Sequence, residues 1–217
     1  MTIIEHHQFK CQQCDAACSF PVVISRFRPV CVQNVMWTDG DISEPLTPRS
    51  HPAVICPTCR EVHWIEDLES SNQNDSGWSG HSSLEPVYPT AEDYFRYAGG
   101  NQTKDEHELT ARIIGWWCAN DPRRIDIDDR DLPLTEDALE NLRALEPLLP
   151  LETDYDHMIA GEVKRELSDF KGALDLIDNY TDTNPEVSDS INMGLAYIIF
   201  LAEREDFNVM RFSFKQR

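Results

Sequence analysis

Two Cys-x-x-Cys pairs constrain the fold of this chain more than any other feature of its sequence. Cys11 and Cys14 form the first pair, and Cys56 and Cys59 form the second, about forty residues later. A two-residue spacing lets one tight turn direct both sulfurs at the same metal ion, and four thiolates complete the tetrahedral coordination that zinc prefers. The two pairs together therefore predict a single zinc site.

Strand-like sequence flanks both pairs, and this arrangement resembles a zinc ribbon, in which each pair lies in the turn of a β-hairpin. The residues between the pairs then form an insertion, whose length matters little once the two turns face each other. Glycine often follows the second cysteine of such a turn, but Asp15 and Arg60 occupy those positions here. Because protein thiolates fill all four positions, no position is open to water, and we expect one structural zinc ion rather than a catalytic one.

Other interpretations of the cysteines stay open. A thiol redox pair requires its Cys-x-x-Cys at the N-terminus of a helix, where the dipole lowers the thiol pKa, whereas the residues after Cys59 are strand-like. The four cysteines could also bear no ligand, and His63 could replace one of them at the metal, although packing beside the site is the favoured interpretation. Cys18, Cys31 and Cys118 lack a partner at ligand spacing, and we expect them to be buried thiols.

Length and apolar content are those of a globular protein. The chain has 217 residues, of which 41% are apolar, so it can bury a core in one large domain or two small ones. The N-terminal residues lack the regions of a secretory signal, and the longest apolar run, residues 195–202, is far shorter than the roughly 18 residues of a membrane span. We therefore expect a cytoplasmic protein, in which closely spaced reduced cysteines are more often metal ligands than disulfides.

The net charge limits the partners of the protein. The chain carries 39 acidic and 19 basic side chains, a formal charge of −20, which repels the phosphates of nucleic acids and anionic membrane surfaces. Most of this excess lies after residue 70. We therefore expect no direct contact with nucleic acid or membrane, and a basic protein partner could be attracted to the C-terminal part. A merely solvated acidic surface is the alternative interpretation.

The character of the sequence changes twice along the chain. Residues 1–67 are rich in β-branched residues and turn signals, which predicts a small β-rich zinc-ribbon module. Residues 68–89 are rich in serine, asparagine and glycine without a hydrophobic period, which is typical of a linker or a long surface loop. Residues 90–217 have helical spacing, which predicts an acidic domain of antiparallel helical hairpins. The predicted fold class is therefore α+β.

Apolar residues recur at helical spacing in five segments of the last part. Thr135 is the predicted N-cap of the second segment, Thr153 with Asp156 forms a capping box at the third, and Asn184 with Pro185 is predicted to start the fifth. The predicted inward-facing residues are Leu109, Ile113 and Trp116 or Trp117; Leu139, Leu142, Leu145 and Leu149; Ile159, Val163 and Leu167; Phe170, Ala173, Leu174 and Ile177; and Val187, Ile191, Leu195, Ile198 and Ala202.

Two other motifs lie between these helical segments. The adjacent residues Trp116 and Trp117 precede Pro122, which is predicted to enforce a helix end. Adjacent residues face about 100° apart on a helix, so one tryptophan can serve the core while the other reaches a neighbouring helix or the zinc module. The aspartates from Asp126 to Asp131 do not fit a calcium-binding loop, because Asp131 occupies the position where that loop needs glycine. We interpret them as a solvated surface network.

Two segments resemble known families. The sequences "FKCQQC" and "VICPTC", which frame an insertion, are similar to the bacterial CpXC-type zinc modules; this resemblance implies a metal and a fold type but no reaction. The run "VKRELSDFKGALDLIDNY" resembles the helix-turn-helix junction of a tetratricopeptide repeat. Leu167, Asp169, Phe170 and Ala173 stand where that repeat places a leucine, a small polar turn residue, an aromatic residue and an alanine. This second resemblance implies helical hairpins with a repeat-like junction.

Three functions follow from these features as hypotheses. The first is a zinc-stabilised cytoplasmic adaptor or regulatory protein, whose helical domain binds another protein. The second is an immunity or inhibitor protein that neutralises a basic toxin or nuclease, since strong negative charge suits the occlusion of a basic partner. The third is a thiol redox enzyme. No phosphate-binding glycine loop, nucleophile elbow or His-Glu-x-x-His motif occurs in the sequence, so we expect no catalytic activity.

Overall fold

The fold comes from a computed structural model that describes residues 3–25, 34–43, 49, 51–72, 85–100, 103, 105–125, 132–183 and 187–214. Within these residues the chain is α+β, as predicted, with small antiparallel strands in the N-terminal region and seven helices, mostly in the C-terminal part. None of the helices in these ranges combines the length and the apolar character that a membrane crossing requires.

Three small antiparallel sheets contain the strands. These are β1 (Ile3–Lys10), β2 (Ala17–Ser25), β3 (Asn34–Trp37), β4 (Ile42–Ser43), β5 (Ala53–Ile55), β6 (Val62–Trp64) and β7 (Arg211–Phe214). Strands β1 and β2 form one hairpin and β5 and β6 form another, and each hairpin has one cysteine pair in its turn. The third sheet has the strand order β4-β3-β7.

Helices make up most of the C-terminal part that the structure describes. They are α1 (Ile65–Asn72), α2 (Ala91–Ala98), α3 (Asp105–Ile125), α4 (Glu136–Leu145), α5 (Asp154–Glu166), α6 (Phe170–Thr183) and α7 (Asp189–Ala202), with a 3-10 helix at Glu146–Leu148. Thr135 caps α4, and Thr153 and Asp156 form the reciprocal bonds of a capping box at α5, which confirms both predicted caps.

The helices enclose the largest apolar core of the molecule. Its buried members include Leu142 and Leu145 of α4, Ile159 and Val163 of α5, Ile177 of α6, and Ile191, Leu195 and Ile198 of α7. Trp116 is fully buried in the same core, whereas Trp117 packs against both this core and a second cluster that β5 and β6 form with α2 and α3. The two adjacent tryptophans therefore divide their roles between the core and the neighbouring hairpin.

Strand β3 joins the beginning of the chain to its end. It pairs with β7 so that Met36 lies opposite Phe212, and both side chains are buried in the helical core. Gly40, in the turn after β3, has φ of 83°, and a Cβ built there would lie 2.3 Å from Cδ1 of Ile159. Only glycine allows this close approach to α5. Strands β3 and β4 thus pack on the helical core, although they lie within the segment 1–67.

The predicted helix end at residues 120–122 is wrong, because α3 continues through Pro122 to Ile125. A proline inside a helix removes one main-chain hydrogen bond and costs ~3 kcal/mol. The following turn nevertheless forms, and it places Arg123 and Arg124 in buried ion pairs. Tertiary packing of these two side chains therefore outweighs the local effect of the proline.

Two helix boundaries lie near predicted limits. Helix α1 crosses residue 67, where the β-rich module is predicted to end, and continues to Asn72. Helix α7 begins at Asp189, after Ser188, which has the extended main-chain conformation of an N-cap. Cys31, residues 126–131 and the predicted start at Asn184 and Pro185 lie outside the described residues. The predicted domain limits stay a prediction.

Candidate metal centre

The two cysteine turns share the same main-chain geometry. In the first turn, the N–H of Cys11 donates to the carbonyl of Ala16, and the carbonyl of Cys11 accepts from the N–H of Asp15, both at 2.9 Å. The same two bonds, again at 2.9 Å, close the second turn on Cys56 and on the residues four and five positions later. Each turn therefore directs its two sulfurs to one side, as the Cys-x-x-Cys spacing predicts.

The four predicted ligands converge on one point between the hairpins. Their sulfurs all lie within 4.8 Å of one another, with Cys11 Sγ 3.6 Å from Cys59 Sγ and Cys14 Sγ 3.5 Å from Cys56 Sγ. Tetrahedral zinc with Zn–S bonds of about 2.3 Å places its sulfurs roughly 3.8 Å apart. The group fits a metal ion such as zinc, which would join one hairpin to the other.

Main-chain N–H groups favour the thiolate form of Cys56. Burial alone would raise the pKa of Cys56, but N–H groups of Cys59 and Thr58 and the thiol of Cys14 bring that pKa down to about 6. At Cys11 burial prevails and raises the pKa. Because zinc binds the thiolate form, Cys56 is the ligand that loses its proton most easily.

The position after each second cysteine is left-handed. Asp15 has φ of 61° and Arg60 has φ of 59°, in the region that glycine adopts without steric cost. This conformation explains why glycine often stands at this position in similar turns. The turn forms without glycine because its main-chain hydrogen bonds and the convergence of the sulfurs hold Asp15 and Arg60 in the strained conformation.

Replacement of Asp15 by glycine is therefore expected to stabilise the first turn by ~0.5–1 kcal/mol. The change removes an ion pair between Lys10 and Asp15 whose side chains are 62% and 78% exposed, a contact of little energetic value. Asp15→Ala removes the same carboxylate but keeps a Cβ, so it should lower the denaturation midpoint. Urea unfolding of both variants measures the difference, and equal midpoints would contradict this account of the turn.

The other sequence candidates lie around the cluster. His63 packs edge-on against Phe9, with ring centroids 4.9 Å apart, and burial lowers its pKa; it lies outside the group of four sulfurs. Cys18 is buried, and desolvation raises its pKa to about 12. Cys118 is half-buried, and its sulfur accepts from Arg49 Nη1 at 3.6 Å. The interpretation of His63 as a packing residue agrees with this geometry.

A second cluster of polar side chains lies in the helical core, and sequence reasoning missed it. We call it the buried ion cluster; its members are Asp39, Arg123, Arg124, Glu162, Arg165 and Glu166. Both side chains of the pair between Arg165 and Glu162 are fully buried, and two bonds of 2.8 and 2.7 Å join them. Thr38 also donates to Glu162, at 2.5 Å. The cluster thus connects the turn after β3 with α5.

The same cluster ties α3 to α5. Glu166 accepts from Trp116 Nε1 at 3.2 Å, from Asn120 Nδ2 at 3.2 Å and from Arg123 Nη1 at 3.0 Å. Burial raises the pKa of Glu166 to about 7, and the charge of Arg123 only partly offsets this. Trp117 donates to the carbonyl of Asp39 at 2.8 Å. These bonds fix α3, α5 and the turn after β3 relative to one another, so the buried ion cluster has a structural role.

No protein-family model, no curated protein and no solved structure matches this chain. The structure contains the cysteine cluster, the N-terminal β part and the helical domain. The resemblances to a CpXC-type module and to a tetratricopeptide repeat stay predictions.

Proposed function

We propose that this chain is a zinc-stabilised protein-interaction protein of adaptor or regulatory type, which acts in the cytoplasm and has no catalytic activity of its own. The observation that carries the proposal is the closed set of four sulfurs between the two hairpins. Four protein thiolates leave zinc no position for water or substrate, so the ion holds the hairpins together rather than performing a reaction.

The surroundings of the cysteines also argue against thiol redox chemistry. A redox-active pair typically lies at the N-terminus of a helix, whereas the lowered pKa of Cys56 comes from N–H groups of its own turn and from the thiol of Cys14. Cys59 is followed by the strand β6, and Cys14 is followed by β2. The interaction function is therefore assigned to the surface of the helices rather than to the cysteines.

Burial of ion-paired side chains does not reduce the acidic excess in the part of the chain that the structure describes. Among the ion-paired side chains of the described residues, five arginines and five carboxylates are less than a fifth exposed, so burial removes as many positive as negative charges. They are Arg49, Arg112, Arg123, Arg124 and Arg165, and Asp39, Asp41, Asp93, Glu162 and Glu166. A basic protein partner is the class that such a surface attracts, whereas nucleic acid and anionic membranes are repelled.

The same charge supports a second candidate function, the inhibition of a basic toxin or nuclease. An inhibitor of this type needs one tight partner, whereas an adaptor needs several partners or the components of one assembly. The two functions therefore differ in the number of partners that depend on the acidic surface.

Affinity purification from the native cytoplasm separates these functions. A test variant neutralises three exposed carboxylates of α4 and α6, and a control variant neutralises three exposed carboxylates of the N-terminal half. The test substitutions are Glu140→Gln, Asp175→Asn and Asp178→Asn, and the control substitutions are Glu69→Gln, Glu85→Gln and Glu92→Gln. Mass spectrometry then identifies the partners that each variant retains.

Several partners lost only with the test substitutions would support the adaptor. One stoichiometric basic partner lost in the same way would support the inhibitor and exclude the adaptor. If neither variant changes the set of bound proteins, or if none is bound, the acidic surface is not the interaction site and the proposal fails.

A further inference from the structure

A cavity lies beside the cysteine cluster, between the second cysteine turn, strand β6 and helix α2. Its volume is about 970 Å³, at the upper end of the range of small-molecule sites in proteins. Apolar surface of Val62, Trp64 and Leu68 lines part of it, and charged side chains of both signs line the rest. The size and the mixed lining suit a small organic molecule better than a single ion.

Two ring nitrogens in the wall of this cavity have no hydrogen-bond partner among the described residues. Trp64 is only 4% exposed, and its Nε1 is one of them; the other is Nε2 of His63. Both nitrogens are closed to solvent, so neither of them contacts a ligand in the open cavity directly, and the charged side chains of the wall decide what binds.

Two arginines supply positive charge at the same cavity. Arg60 and Arg96 both line it, with side chains 49% and 57% exposed, and both bind the single buried carboxylate of Asp93. Arg60 Nε lies 3.0 Å and Arg96 Nη2 lies 2.8 Å from the same oxygen, Oδ1 of Asp93. Arg60 also donates to the other oxygen of Asp93 through Nη2, so its fork is already engaged, whereas Arg96 contacts Asp93 through Nη2. Two guanidinium groups that share one carboxylate keep one positive charge between them, which can attract a carboxylate ligand.

Negative side chains on the same wall decide between a simple anion and a ligand with two charges. Glu61 and Asp67 line the cavity together with the arginines. They would repel a simple anion and attract a positive group on the same molecule. The lining therefore complements a carboxylate, an ammonium group and an apolar portion.

We infer that this cavity binds a free α-amino acid with an apolar side chain. Arg60 and Arg96 hold the carboxylate, Glu61 or Asp67 faces the ammonium group, and the apolar surface beside Trp64 takes the side chain. This site is separate from the acidic surface of α4 and α6, and it does not depend on the protein partner proposed above.

Titration with three matched probes tests the inference on the unmodified full chain. L-phenylalanine carries both charges, 3-phenylpropionate lacks the ammonium group, and L-phenylalaninamide lacks the carboxylate. The indole Nε1–H resonance of Trp64, identified in a ¹⁵N spectrum by its loss in Trp64→Phe, reports binding. We expect a saturable shift with L-phenylalanine and about tenfold weaker binding of each truncated probe, since one charged hydrogen-bonded contact is lost.

Arg96→Gln should weaken the binding of L-phenylalanine about tenfold and leave the affinity for the amide unchanged. Arg143→Gln is the matched control, because it breaks an exposed ion pair with Glu136 on α4. The inference is overturned if L-phenylalanine causes no saturable shift, if either truncated probe binds equally well, or if both arginine variants behave alike. The probe series needs no substitution, so it decides the question even if Arg96→Gln fails to fold.

Discussion

Cys56→Ser should abolish zinc binding and release the β1–β2 hairpin from its folded state, while the helical core stays folded. Structural zinc contributes on the order of 10 kcal/mol to folding, which is comparable with the whole stability of a typical domain. The two hairpins are two-stranded sheets, and such sheets are marginally stable alone. Loss of the ion leaves the β1–β2 hairpin with a small apolar cluster built on Phe9, Phe20 and Val54, whereas β5 and β6 also pack against α2 and α3.

Metal analysis and hydrogen exchange together measure this effect. The purified protein should contain one zinc ion per chain, and Cys56→Ser should contain none. Amide exchange should become fast in β1 and β2 but stay slow in α5 and α7, whose residues form the helical core. Cys118→Ser is the matched control, because it removes a half-buried thiol that lies outside the cluster. Equal zinc content in both variants, or a protected β1–β2 hairpin without metal, would contradict the structural role of the site.

The cysteine cluster was predictable because its geometry is local. A Cys-x-x-Cys turn orients two sulfurs regardless of the rest of the chain, and two such turns need only to face each other. The main-chain conformation of Asp15 and Arg60 was not predictable, because neither residue prefers a positive φ. The bonds that close each turn impose it, and these bonds exist only in the folded hairpin.

Helical faces were predictable for a similar reason, since the spacing of apolar residues reports burial directly. The continuation of α3 past Pro122 was not, because it depends on the partners of Arg123 and Arg124 in distant parts of the chain. The pairing of β3 with β7 likewise joins segments from opposite ends of the sequence. Local patterns carry no information on such contacts, and a short strand such as β7 has too few residues to show a period.

The buried ion cluster escaped prediction because charged residues are expected at the surface. Only the partners make their burial tolerable, and each partner lies far away in the sequence or is itself charged. Glu162, Arg165 and Glu166 stand on the inner side of α5, within a run that the apolar period alone assigns to Ile159 and Val163. Glu162 pairs with Arg165 on the same helix and Glu166 pairs with Arg123 of α3, so these buried contacts left no mark in the apolar pattern.

Arg165→Met should destabilise the protein by ~3–5 kcal/mol, the cost of leaving a buried carboxylate without its counter-charge. Arg165 is fully buried and joins Glu162 through two bonds, and it also donates to the main-chain carbonyls of Asp206 and Asn208. Methionine fills a similar volume but satisfies none of these acceptors. Urea unfolding, followed by circular dichroism of the helices, gives the change in the free energy of unfolding.

Two further variants separate the charge effect from a general sensitivity of the core. Arg143→Met removes an ion pair whose side chains are 55% and 68% exposed, and it should cost less than ~1 kcal/mol. The double variant Glu162→Gln/Arg165→Met removes both charges while glutamine keeps an acceptor for Thr38, so it should recover part of the loss. If the double variant is no more stable than Arg165→Met, packing rather than the unpaired charge of Glu162 is what Arg165 contributes. A recovery would instead mean that the loss of stability in Arg165→Met comes chiefly from the isolated buried charge of Glu162. The ion pair would then stabilise the contact between the turn after β3 and α5 by preventing such a charge.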